Sequence, residues 1–173
     1  MRSSFVYIVL IFFVAGNFFT AGAKNIRNKH FKFRLEIPES MQAVIDSENK
    51  VDGNLYFDTD AGIVLLITKT EGKFHSVKDY IDCSRVQLEN ELQYCYDDPS
   101  LKVISCNKSP YYADKTVLLY LEVGVLPSGF DQSLIYFIHH KGKDIQFSFM
   151  FKKANARETL RIIDSIMRTL VLL

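Results

Sequence analysis

Three consecutive β-strands joined by short turns fill the chain from Thr116 to Phe151, and the rest must fold around them. Thr116–Gly124 (TVLLYLEVG) and Leu134–His140 (LIYFIHH) are almost continuous apolar runs. A strand reads this way when protein covers both of its faces. Asp144–Phe151 (DIQFSFMF) alternates instead, with Ile145, Phe147, Phe149 and Phe151 on one face and Gln146 and Ser148 on the other. Two amphipathic helices are available as cover. The expected class is α+β: a mainly antiparallel sheet with one helix on each face, and the alternating strands toward less covered positions.

The preceding chain supplies further strands. Phe31, Phe33, Leu35 and Ile37 alternate with charged residues, and Pro38 ends that strand. Met41–Ile45 and Leu55–Phe57 are short strand candidates around the turn-rich Ser47–Asn54, and Ile63–Thr68 follows the Asp58–Gly62 turn. Ser76–Tyr94 reads as one helix, with Ser76 and Asp79 in capping-box position. Its predicted buried stripe is Val77, Ile81, Ser84, Leu88, Leu92 and Cys95. Pro99 stops it, Leu101–Asn107 is a strand, and Lys108–Asp114 a loop. Leu126–Asp131 and Lys141–Lys143 connect the central strands. A last helix spans Ala156–Leu170, with an Asn155/Glu158 cap and a stripe of Ala156, Leu160, Ile163, Met167 and Leu170.

The first 23 residues carry one charge, Arg2, followed by the apolar Phe5–Gly16 and the small residues of Ala21-Gly22-Ala23. This is the pattern of a secretory signal peptide, cleaved after Ala23, and the A-x-A site favours cleavage over an uncleaved anchor. The expected protein is exported, periplasmic or extracellular, with a single domain over 24–173 and no stable membrane insertion after cleavage. That domain carries 20 basic and 20 acidic residues. A nucleic-acid binder would show a basic excess or stripe, so none is expected as a partner.

No catalytic or cofactor signature stands out. His139 and His140 are neighbours on a strand and point to opposite faces, so they do not chelate one metal together. Asp58 and Asp60 offer oxygen ligands but lack EF-hand spacing, and Asp-Gly-rich turns need no metal. There is no nucleophile-elbow serine and no glycine-rich phosphate loop. No cofactor, metal or catalytic residue is therefore expected. Tyr94, Tyr96, Tyr111, Tyr112 and Phe130 fall at helix ends and turns. They fit either a binding patch or caps over the sheet ends. Tyr111, Tyr112 and Phe130 are the candidate partner-binding residues.

Three cysteines leave at least one unpaired within the chain. A strand rises about 3.3 Å per residue, which puts Cys106 about 16 Å along its strand. A helix rises about 1.5 Å per residue, which puts Cys83 about 18 Å back from Cys95. Axial position favours Cys83 with Cys106; the helical stripe favours Cys95. A continuous helix excludes Cys83 with Cys95, since bridged Cα atoms lie within about 7 Å.

The order of elements now has a resemblance. An F-x-F-x-I-P strand, an apolar strand, a long helix, an antiparallel meander and a terminal helix carrying IIDSIMRTL resemble the PsbP-like superfamily across Lys24–Leu173. That superfamily includes the photosystem II extrinsic protein PsbP, the Ran-binding Mog family and small exported bacterial proteins. The resemblance implies an α/β/α sandwich and a non-catalytic binding or assembly role, with another protein as partner. The alternatives are a small hydrophobic-ligand carrier with a pocket between sheet and helix, and a hydrolase whose site forms only in three dimensions. N-terminal sequencing of the exported protein is expected to read KNIRNKHF; Met1 retained on a membrane-bound form would contradict cleavage.

Overall fold

The computed structural model describes residues 22–45, 53–69, 76–112, 114–124 and 129–173. The signal segment through Ala21, most of the Ser47–Asn54 turn, and residues 126–128 of the Leu126–Asp131 connection lie outside the described residues.

The strands are β1 (Ala23–Asn28), β2 (Phe33–Pro38), β3 (Gln42–Ile45), β4 (Gly53–Asp58), β5 (Ile63–Lys69), β6 (Lys102–Lys108), β7 (Thr116–Glu122), β8 (Gln132–His140), β9 (Lys143–Phe151) and β10 (Val171–Leu172). The helices are α1 (Val77–Asp82), α2 (Arg85–Tyr96) and α3 (Ala156–Arg168). Seven strands form one sheet in the order β3-β4-β5-β9-β8-β7-β6, and β1-β2-β10 form a second. Every pairing between these strands is antiparallel. Lys141 and Gly142, with φ of +51° and +70°, form the two-residue turn between β8 and β9. Positive φ at both central positions matches the twist of a hairpin.

The large sheet buries both faces. On one, Ile63, Leu65 and Ile67 of β5, Leu134, Tyr136 and Ile138 of β8, and Ile145, Phe147, Phe149 and Phe151 of β9 meet Phe33, Leu35 and Ile37 of β2 and Ile163, Ile166 and Met167 of α3. Phe33 and Phe147 pack edge to face at 5.0 Å between ring centres. On the other face, Val103, Val117, Leu119, Leu121, Ile135 and Phe137 pack beneath Tyr80, Leu88 and Leu92.

Four expectations need correction. The Phe31–Ile37 strand leaves the main sheet: as β2 it joins a separate sheet that shares the cover of one face with α3. Its alternation is that of a covering layer with one wet side. β9 is not a less covered strand but the central one, between β5 and β8. Its polar alternates are sealed in the sheet, where buried Gln146 donates from Nε2 to the Tyr96 hydroxyl (2.8 Å) and to Ser148 Oγ. The Ser76–Tyr94 helix is two helices, and Cys95 and Ile81 of its predicted stripe are exposed while Tyr80 is buried. Asn155 makes no side-chain cap; a 3-10 turn over Lys153–Asn155 leads into α3 instead.

Phe149, fully buried, is expected to cost about 3–5 kcal/mol on replacement by Ala. Ser148→Ala is expected to cost about 1 kcal/mol, because Gln146 loses one acceptor while keeping Tyr96. Urea midpoints of the two variants check the ranking, and equal losses would contradict it.

Candidate functional site

Local sequence chemistry makes the bend between α1 and α2. Ser76 accepts from Asp79 N, and Asp79 returns the bond to Ser76 N. Eight residues later the same box recurs: Ser84 Oγ accepts from Gln87 N, and Gln87 Oε1 accepts from Ser84 N. A serine side chain that bonds forward in this way starts a helix rather than continuing one. Cys83, which with Ser84 links the helices, is extended at φ −72° and ψ 137°. α2 ends at Asp97, whose left-handed backbone (φ 52°) donates back to Gln93 and Tyr94. The Ser84/Gln87 pair was the signal in the sequence that would have divided the helix.

α2 is held by few side chains. Leu88 and Leu92 are its buried residues. Two polar side chains bind it to the start of β6 and the residue before it: Gln93 Nε2 donates to Leu101 O (2.8 Å), and Val103 N donates to Glu89 Oε2 (2.8 Å). These bonds stand where a neighbouring strand would bond. At its end, the Tyr96 hydroxyl reaches in to Gln146 while the ring stays partly exposed. Burial of the hydroxyl pushes its pKa above the usual tyrosine range.

The outward side of this unit sets a few exposed apolar side chains among charged and polar ones. Val86 is 68% exposed and Tyr94 67%, and Ile81, Tyr96 and Ile104 of β6 are exposed as well. Beside them an open groove is lined by Asp79, Asp82, Cys83, Gln87, Glu91 and Tyr94. Lys78 pairs with Asp82 at its rim.

The residues singled out from sequence do not come together as one patch. Tyr111 is half-buried against the α3-side core, and its hydroxyl bonds to Asp164, which also holds Arg168. Burial, then the Asp164 bond, push the Tyr111 hydroxyl pKa up. Tyr112, at φ +53°, is 43% exposed and donates from its hydroxyl to Leu170 O (3.0 Å). Phe130 is only 5% exposed and packs with Leu55 and Val64 on the opposite face of the sheet. Its ring is therefore core rather than surface: a loop position did not foretell burial. Tyr94 and Tyr96, the other aromatics at helix ends, lie on the exposed α2 side.

His139 and His140 diverge. His139 Nδ1 is 2.7 Å from Asp144 at the surface, while buried His140 bonds through Nε2 to Leu173 O. The Asp58 carboxylate is spent on its own turn, accepting from Asp60 N, Ala61 N and Ser40 Oγ. Among the described residues, no three His, Cys, Asp or Glu side chains are grouped to hold a metal ion.

No family model and no curated protein sequence matches the chain. Solved structures do. The cyanobacterial PsbP (CyanoP) of Synechocystis sp. PCC 6803 aligns with a TM-score of 0.64 and 12% identity, covering 92% of this chain and 98% of its own. The Ran-binding protein Mog1p of Saccharomyces cerevisiae aligns with a TM-score of 0.58 and 9% identity, covering 88% and 96%. The chain has the PsbP/Mog1 fold. At such identity the likeness concerns the fold, and no residue role passes with it. In this chain's version of the PsbP/Mog1 fold, the α1–α2 unit with its exposed Val86 and Tyr94 and its groove is the candidate site.

Ser84→Ala is expected to lower stability by about 1 kcal/mol through loss of the α2 cap. Ser84→Asp is expected to retain it. Were the helix continuous through this point, alanine would raise stability as the better helix former. Urea unfolding of the two variants separates these outcomes.

Proposed function

We propose that this protein is an exported, non-catalytic binding or assembly module that docks another protein on the α1–α2 face. The observation that carries the reading is the outward side of α2. Val86 and Tyr94 are two-thirds exposed on a helix whose buried residues are Leu88 and Leu92, and Ile81 of α1 is exposed as well. Aromatic residues surrounded by polar ones are the composition of interface cores. The adjoining groove, lined by Asp79, Asp82 and Glu91, suits a partner that brings basic side chains next to apolar ones. The yeast neighbour is named for binding another protein, Ran, which supports a binding role for this fold and says nothing of this chain's partner.

Tyr112 is the exposed member of the earlier trio and forms a second, smaller surface at the end of α3. Phe130 is buried and Tyr111 half-buried with its hydroxyl on Asp164, so their replacement tests packing first.

A photo-crosslinking residue placed at position 86 is expected to capture the partner in the native host, and one at exposed Arg157 of α3 is not. With the captured protein in hand, Val86→Asp with Tyr94→Ala is expected to weaken binding by about thirtyfold or more, the 2 kcal/mol scale of an interface anchor. Thermal stability should stay nearly constant. Tyr111→Ala with Phe130→Ala is expected to lower the melting temperature and leave the affinity of the folded fraction unchanged. The reverse pattern would move the interface to the loops and overturn the α1–α2 assignment.

A further inference from the structure

We propose that Cys83 and Cys106 form a disulfide by exchange with a small cationic disulfide that reaches Cys83 through the α1–α2 groove. The helix break leaves Cys83 extended just after the end of α1, and α1 lies against β6, which carries Cys106. Cys106 Sγ sits 3.6 Å from the carbonyl oxygen of Tyr80, one helical turn before Cys83. Both thiols pack on the same apolar cluster of Tyr80, Leu101, Val103 and Leu119. Cys95 is exposed at the other end of α2, with its thiol on Glu91, and stands apart from the pair.

The two thiols have unequal access. Cys83 lines the open groove, and Cys106 lies behind it. Burial, then Glu91, raise the Cys83 thiol, and burial, with the charge of Cys83 adding to it, pushes the Cys106 thiol up to about 11. Cys83 stands on the groove and meets the reagent first, and Cys106 resolves. Lys78 offsets Asp82 at the rim, and with Asp79 and Glu91 the groove keeps a net negative charge that favours a cationic reagent over an anionic one.

The steps balance. The Cys83 thiolate attacks one sulfur of the reagent: a mixed disulfide forms, the reagent's S–S bond breaks, and one thiol leaves. Cys106 gives up its proton and attacks Cys83 Sγ, forming the Cys83–Cys106 bond and expelling the second thiol. Two electrons pass from the cysteine pair to the reagent, and the two cysteine protons end on its two thiols. The pairing does not depend on the docking role proposed for the same face.

The test uses cystamine on the purified protein, followed by alkylation and peptide mapping. The expected product is one peptide pair joining Cys83 to Cys106, with Cys95 outside the link. Cys106→Ser is expected to trap a stable cysteamine adduct on Cys83, and Cys83→Ser to slow labelling of Cys106 by about tenfold or more, its thiolate being scarce. Separate adducts on Cys83 and Cys106 without a link, or a link through Cys95, would overturn the pairing, and the wild-type map decides this without any variant. Oxidised glutathione, an anionic disulfide, should react several-fold more slowly than cystamine at low salt. Equal rates would overturn access through the acidic groove.

Discussion

Burial of β9 on both faces sets the terms for the rest of the molecule. On one side Phe147, Phe149 and Phe151 need only bulk, and β2 and α3 supply it. On the other, Gln146 and Ser148 need partners, because a buried amide or hydroxyl without a hydrogen bond costs on the order of 1–3 kcal/mol. They find each other and the Tyr96 hydroxyl. The centre of the sheet thereby fixes the end of α2, a helix with only two buried side chains of its own. The placement of exposed Val86 and Tyr94 follows from a polar pair in the core.

The central strands were legible in the sequence because hydrophobic periodicity reports burial directly. β7 and β8 read as solid runs and are covered on both faces. The position of β9 was not legible, because Gln146 and Ser148 look like wet residues until Tyr96, fifty residues away, is brought to them. β1 and β10 left no pattern to read: Ile26 is the one apolar side chain of AKNIRN packed on the core, and β10 is two residues long. The helix break was written in Ser84 and Gln87 but competed with an apparently unbroken 3.6-residue stripe. At the candidate site, position at a helix end or turn left the aromatics open between patch and cap: Tyr94 is exposed and Phe130 buried, and the Tyr111 hydroxyl finds Asp164 on a distant helix that no local pattern announces.

Identities of 12% and 9% to structures that cover nearly the whole chain show how little the fold depends on particular side chains. It asks for apolar volume at the right period and for turns that take the required backbone angles. That tolerance leaves surfaces free to diverge, and here the two covers of the main sheet differ in kind. β2 and α3 spend their apolar side chains inward. α1 and α2 hold the opposite face with three buried residues, Tyr80, Leu88 and Leu92, and turn others to solvent.

The bonds from Glu89 and Gln93 to β6 have a consequence for solubility. They occupy a donor and an acceptor at the rim of a seven-stranded sheet, where another chain could otherwise add a strand. α2 thus works as a stopper at this rim. If its shallow anchorage gives way, Leu88, Leu92 and the sheet rim are uncovered together, and self-association by strand addition competes with refolding. A partner seated across α2 and β6 would hold the stopper in place, so recognition and protection from polymerisation would be one event.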